Sequence, residues 1–403
     1  MLLRMLLLLC ATVFVASAME FKYHTLEEVN AFVHHVASEH GSLVTLQYLG
    51  NTIKGRRIWQ LILTNRAKED SFIPNLHLIA NIYGNDVMTR EVVMHLVEYM
   101  VGHAQSDPDV HWLLNNARLH VVPSVNIDGS DASIPGDCSG MTGGENSNGV
   151  AINRNFPSAF ERVAPSSRAP VEPESASVLR LMRAHPALLT VLLFAGLHGV
   201  LYPYDDQPGA DLPWVRTGST TPDDDVFQEL SRSMVSLMAL NGTAPCAGKP
   251  PVGANNEGFA NGASFSRISG SLADYAYAYE GSLPLSVFIG CCKYDEPRFL
   301  KGHFEQTRAP LLKLLRMADR GVRGTITNRR GEPVAGALLA INNRTVGFRS
   351  NQFGEFWRML LPGFYMLLVS ADGYLPAALD FHVNSGHVTT LEVKLYTGYK
   401  YEG

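Results

Sequence analysis

The sequence predicts an α/β domain, a mixed and largely parallel sheet flanked by helices, followed by a small all-β sandwich. Three observations carry that reading. Several strands are apolar along their whole length and alternate with helical stretches, the pattern of a sheet covered on both faces. After Gly321 the texture changes to short β segments with turn residues at spacings of about ten. A length of 403 residues exceeds one average domain and leaves each part enough chain for its own core. The expected division is an export signal at 1–18, the α/β domain at 19–320 and the β domain at 321–403.

The elements follow in order. Arg4 precedes the apolar run Met5 to Val15, and Ala16-Ser17-Ala18 offers small residues for cleavage. That run is too short for a membrane-spanning helix. Thr25 to Glu28 forms a capping-box pattern ahead of Leu26, Val29, Phe32, Val33 and Val36 at helical spacing. Two β-rich segments, Leu43 to Leu49 and Ile58 to Leu63, flank the turn residues Gly50 to Gly55. An apolar strand from Leu76 to Tyr83 leads to a helix over Thr89 to His103. Arg118 to Val125 and Leu188 to Leu197 read as further strands, with a helix over Pro173 to Arg183 between them. Pro222 with Asp223, Asp224 and Asp225 reads as a helix start, its acids at the positive end of the dipole. Tyr275, Tyr277 and Tyr279 alternate and predict one face of a strand. A helix from about His303 to Ala318 closes the first domain, and turns at Asn328 to Gly331, Asn351 to Gly354, Pro362-Gly363 and Asp372-Gly373 punctuate the second.

Composition excludes some partners. The net charge of -5 and the absence of a Lys/Arg cluster argue against nucleic acid. No later apolar stretch is long enough to span a bilayer, and the polar ending Lys400 to Gly403 lacks the tail of a lipid-anchor signal. A secreted, extracellular protein without a membrane anchor is expected; oligomeric state leaves no trace in the sequence. Once Cys10 leaves with the signal, Cys138, Cys246, Cys291 and Cys292 remain, which permits three disulfide pairings. Adjacent Cys291 and Cys292 rarely join each other. Asn241-Gly242-Thr243 and Asn343-Arg344-Thr345 are glycan acceptors that agree with export.

The place to look for chemistry is Tyr83-Gly84-Asn85-Asp86. It sits at the carboxyl end of a strand, where open α/β sheets put their sites. Further phrases read together with it: Gly144-Glu145-Asn146-Ser147-Asn148-Gly149-Val150, Asn153-Arg154-Asn155-Phe156-Pro157, Leu197-His198-Gly199, Tyr202-Pro203-Tyr204-Asp205 and Cys291-Cys292-Lys293-Tyr294. With the β sandwich behind them, they resemble the regulatory metallocarboxypeptidases of the carboxypeptidase N/E subfamily, in the layout of its M- and D-like members. The resemblance covers the chain from Phe21 to about Leu395. It implies a zinc carboxypeptidase fold followed by a transthyretin-like domain, with disulfides Cys138–Cys292 and Cys246–Cys291.

The same resemblance implies a damaged site. The family holds zinc with His and Glu of one motif and a distant His. Those positions are Tyr83, Asp86 and His198 here, and the chain is shorter than the family between His198 and Tyr202. The general-base glutamate is replaced by Phe288, the carbonyl-polarising arginine by Gly144 and the tyrosine that closes over substrate by Ser266. Asn153 and Arg154, which resemble the clamp for a terminal carboxylate, survive. So does Asp205, which resembles the acid that selects basic C-terminal residues. Zinc needs three protein ligands and brings the pKa of its water from about 15.7 to about 7. A phenol with a pKa near 10 is a poor ligand, and a missing general base removes roughly 10²–10⁴ in rate. No zinc is therefore expected, and Phe288 predicts an apolar floor.

Plainer readings stand beside these. His198 reads as a strand-end core histidine, Asn153 and Arg154 as loop-satisfying groups, and Asp205 beside Asp206 as an exposed turn residue. Three functions follow. The first is a secreted pseudo-enzyme that binds a peptide C-terminus or an extracellular protein without cleaving it. The second is an active carboxypeptidase for basic C-terminal residues with a rebuilt metal site of Tyr83, Asp86 and His198. The third is a structural or adhesive module in which the cleft is idle.

Overall fold

The computed structural model describes residues 19–65, 72–138, 140–160, 170–208, 218–240, 245–253 and 256–397. The expected export signal at 1–18 and the acceptor Asn241 lie outside the described residues.

Helix α1 (Leu26–Glu39) starts at the reciprocal cap that the sequence announces, Thr25 and Glu28 each bonding the other's backbone N–H. The turn at 50–55 joins β1 (Val44–Asn51) to β2 (Arg57–Leu63), and β3 (Asn75–Ala80) leads into α2 (Val87–Gly102). Helix α3 (Pro108–Asn116) precedes β4 (Arg118–Val122) and the short α4 (Ile127–Ala132). Then come α5 (Pro173–Ala184), β5 (Ala187–Phe194), β6 (Leu197–Tyr202), α6 (Asp224–Leu237), β7 (Phe259–Asn261), α7 (Gly262–Phe265), α8 (Leu272–Ala278), β8 (Leu283–Gly290) and α9 (Pro297–Arg316). Helix α3 was not expected, although Asp107 caps it and Pro108 fills its first turn in the usual way.

These strands form one eight-stranded sheet in the order β1-β2-β4-β3-β5-β8-β6-β7. Its centre is parallel, β4, β3, β5 and β8, while β1, β2 and β6 pair antiparallel, so the sheet is mixed. All of β5 is buried, as a strand covered on both faces must be. One face packs on α1, α2, α3, α6 and α9, the other on α5 and α8. The parallel centre aligns the carboxyl ends of β3, β5 and β8, which positions the site.

The second domain contains β9 (Gly321–Asn328), β10 (Leu338–Ile341), β11 (Phe348–Arg349), β12 (Glu355–Arg358), β13 (Gly363–Ser370), β14 (Ala377–Val383) and β15 (Val388–Leu395). A four-stranded sheet, β11-β10-β13-β14, faces a three-stranded one, β12-β9-β15, around a core that includes Ile326, Leu339, Phe356 and Leu367.

Three expectations fail for local reasons. The strand expected over Leu188 to Leu197 is two strands. Gly196 at φ +92° turns the chain between β5 and β6, and β6 then runs antiparallel to β8. Tyr275, Tyr277 and Tyr279 lie on α8 and its cap; Tyr275 and Tyr279 stack one helical turn apart at 5.2 Å, while Tyr277 faces the other core. Asp223 does precede α6 but makes no side-chain cap bond. It is fully buried and joins the domains instead: its Oδ1 accepts from Arg344 at 2.8 Å, and its Oδ2 accepts from Arg358 at 2.5 Å and from the Tyr277 hydroxyl at 2.7 Å.

Removing one partner of a buried ion pair strands the other charge. Arg358→Ala should therefore lower unfolding stability by about 3 kcal/mol, near the low end for buried pairs because Arg344 still faces Asp223; denaturant titration reads it. A second prediction concerns acid. His77 on β3 is buried beside its register partner His120, and burial followed by the nearby His185 pushes its pKa down to about 3. The folded value lies below the unfolded one near 6.5, so the unfolded chain binds more protons and stability falls as pH drops below about 6.5. His77 alone should remove ~2 kcal/mol between pH 7 and 5, and His77→Leu should flatten that slope.

Candidate functional site

The turn after β3 is built around Asn81, a non-glycine residue at φ +54°. Its amide donates to the carbonyls of Tyr83 and Gly84 at 3.1 and 2.9 Å, and its Oδ1 accepts from Ser124 and Ser130 at 2.5 and 2.8 Å. Gly84 must be glycine, since a Cβ there would lie 2.4 Å from the Gly143 carbonyl oxygen and 2.5 Å from Gly129 Cα. This close crossing sets Tyr83, Asn85 and Asp86 under the loop that carries Gly144, whose own Cβ position is 3.6 Å from the Asn85 amide.

Asp86 is the N-cap residue of α2 and has no accessible surface, yet it makes no cap bond. Both oxygens are engaged elsewhere. Oδ1 accepts from the Lys293 ammonium at 2.5 Å, and Oδ2 accepts from the Ala195 backbone N–H at 3.3 Å. Burial pushes the Asp86 carboxyl up, and Lys293 opposes the shift. The same ammonium lies 4.8 Å from the Tyr83 ring centroid and 3.5 Å from Asn85 Oδ1.

Tyr83 is the meeting point of the remaining groups. Its hydroxyl hydrogen-bonds the Asn153 side chain, and Arg154, Asp86 and Asp205 all act on it electrostatically. Burial is the largest influence and raises its pKa, so the phenol keeps its proton at neutral pH. Its ring leans on Phe194 at 5.8 Å, and Phe194 stacks on Phe288 at 5.2 Å. The expected apolar floor is therefore present as three aromatic rings, contributed by the segments that end β3, β5 and β8.

Asn153 is buried and accepts from the Leu272 N–H at 3.1 Å, whereas Arg154 is exposed and its guanidinium makes no ion pair among the described residues. Asp205 is not the exposed turn residue that one reading expected. It is buried, its backbone N–H bonded to Asp274 Oδ1 at 2.7 Å, and burial pushes its carboxyl up to about 6 against a hydrogen bond from Ser271. Asp274 is raised well above the ordinary range by burial and by Asp205. Asp206 pairs with Arg267 at 2.6 Å, next to the exposed Ser266 that ends α7.

His198 is set apart. It pairs with Ile289 across β6 and β8 and so shares the face that packs on α2 and α9, whereas Tyr83 and Phe288 pack on the opposite core. Its Nδ1 lies 3.8 Å from Cys291 Sγ, and burial followed by His303 lowers its pKa. His198, Cys246 and Cys291 lie close together, but both sulfurs belong to a disulfide and are closed to metal. Tyr83, Asp86 and His198 thus do not fit zinc: one is a protonated phenol, one already pairs with an ammonium, and one lies on the other face.

The disulfides are Cys138–Cys292 and Cys246–Cys291, as the resemblance implies. They tie the segment after β8 to the loops that carry Cys138 and Cys246, directly ahead of Lys293. Lys293 itself, Phe194 and Asp274 were not singled out from sequence. For Lys293 the available signal was its place as the cation directly after the paired cysteines.

Comparison with known proteins agrees with this architecture. Residues 29–309 match the zinc carboxypeptidase family, and residues 321–396 match the carboxypeptidase regulatory-like domain. The chain is 31% identical to carboxypeptidase M of Mus musculus, over 89% of this chain and 80% of that one. It is also 31% identical to carboxypeptidase D of Homo sapiens, over 91% of this chain but 26% of that one. Among solved structures, thrombin activatable fibrinolysis inhibitor superposes with a TM-score of 0.57 at 15% identity, covering 75% of each chain. Carboxypeptidase A from Helicoverpa armigera gives 0.56 at 18% identity, covering 73% of each. At such identities the superpositions establish the fold alone.

The aromatic floor yields a prediction. Phe288→Glu would place a carboxylate in the aromatic stack against Phe194, at a cost of about 1–3 kcal/mol. Denaturant unfolding should show that loss, and assays of C-terminal residue release should show no gain.

Proposed function

This chain belongs to the regulatory branch of the zinc carboxypeptidase family, and from that premise we propose that it is a secreted pseudo-enzyme that binds peptide C-termini without hydrolysing them. The observation that carries the reading is the engagement of Asp86 by Lys293 and Ala195. The Lys293 ammonium already balances the Asp86 carboxylate and would repel a metal ion beside it, and Phe288 at the base position cannot accept a proton.

The ligand class follows from the exposed Arg154 and the acidic pair Asp205 and Asp274. Arg154 offers a planar fork suited to a terminal carboxylate, beside a Tyr83 hydroxyl fixed by Asn153. Asp205 and Asp274 form a buried acidic pair, and a basic side chain that reaches Asp205 would be favoured. Two disulfides and an exposed acceptor at Asn343 support action outside the cell, and no helix among the described residues is long and apolar enough to cross a membrane.

Isothermal titration with an Arg-ended peptide tests the reading. Wild type should bind and leave the peptide intact, and Arg154→Ala should weaken binding by about tenfold or more. Equal affinity in both would leave the cleft idle, and chelator-sensitive trimming of the peptide would establish an active enzyme instead. A basic side chain favours ionised Asp205, so affinity should rise with pH through about 6. A peptide ending in an apolar residue should lack that rise.

A further inference from the structure

Two of the side chains that fail to fit zinc, Tyr83 and Asp86, already share a cation. We infer that the Lys293 ammonium is the resident cation of this cleft, standing where a divalent ion would balance Asp86 and making the order of the site independent of metal. The inference concerns the same pocket as the proposed binding function but does not require that any peptide bind there.

The geometry is specific. The ammonium nitrogen is 2.5 Å from Asp86 Oδ1, 3.5 Å from Asn85 Oδ1 and 4.8 Å from the centre of the Tyr83 ring. The positions that correspond to both metal ligands of the first motif thus converge on one charge. Asp86 is completely buried, while the Lys293 side chain is 25% exposed, so the pair spans the boundary between core and cleft. Cysteines on the two residues before Lys293 are both bonded, which limits how far its backbone can move. Its stem passes over Gly196, where a Cβ would lie 3.2 Å from Lys293 Cγ and 3.3 Å from Cε. A glycine at that bend leaves a channel for the lysine stem.

A buried carboxylate whose cation is removed costs far more than the intact pair contributes, and neutralising the carboxylate relieves that cost. The test uses the mature protein as wild type, Lys293→Met, Asp86→Asn and the double variant, each melted with EDTA and with added zinc chloride. Wild type should melt at the same temperature in both. Lys293→Met should melt about 5 °C lower or fail to fold, and the double variant should recover most of the loss. A double variant no more stable than Lys293→Met overturns the inference, whether or not Lys293→Met folds. A wild-type midpoint that falls in EDTA and returns with zinc also overturns it.

Discussion

A carboxylate with no accessible surface at the head of a central helix is an unstable arrangement unless a positive charge reaches it. Asp86 is in that position, and Lys293 answers it from 207 residues away in sequence. Much of the local architecture serves that reach. The paired cysteines anchor the segment after β8 to the loops that carry Cys138 and Cys246. Gly196 bends the chain between β5 and β6 and leaves room for the lysine stem. Ala195, at the same bend, donates its N–H to the other oxygen of Asp86. The break in the expected strand and the neutralisation of Asp86 are therefore one structural event.

Around that pair the cleft has exchanged polar reactivity for aromatic packing. Phe288 lies on Phe194, which leans on Tyr83, and the Tyr83 hydroxyl is fixed by Asn153. Burying a ring of this size gains roughly 1.5–3 kcal/mol, so the floor contributes to stability where a catalytic site would hold desolvated charge. At the rim Arg154 stays exposed and the buried Asp205–Asp274 pair remains without a neutralising cation among its strongest influences. The groups on which the proposed recognition of a ligand's end rests thus stand beside an aromatic centre.

Most of the fold was legible because its signals are local. The cap of α1, the wholly apolar central strands and the turn spacing of the sandwich are written in adjacent residues. The failures arose where one pattern serves two structures. An apolar run continues unbroken through Gly196, so only the backbone conformation separates β5 from β6. Tyrosines at alternate positions suit a strand, but the first and third are also one helical turn apart, and α8 uses that relation. Three consecutive aspartates suit a helix start, yet Asp223 serves Arg344 and Arg358 in the other domain. At the site, the lost residues were visible by position, whereas the role of Lys293 depends on a long-range contact that no spacing reveals. The disulfide pairing was open on spacing alone and was narrowed only by the resemblance.

Charge balance explains why an ammonium suits this pocket better than a divalent ion. In the pattern the chain resembles, a dication faces two glutamates, one as ligand and one as base. Here the first is Asp86 and the second is Phe288, so one negative charge remains. Tyr83 does not restore the other, because burial raises its pKa and keeps the phenol protonated. A dication would then leave about one uncompensated positive charge against three aromatic rings, an environment that penalises isolated charge heavily. Lys293 leaves none, and it gains further attraction from the face of the Tyr83 ring. Loss of the base, shortening of the ligand and capture of the ammonium are thus mutually consistent, and restoring any one alone would unbalance the other two.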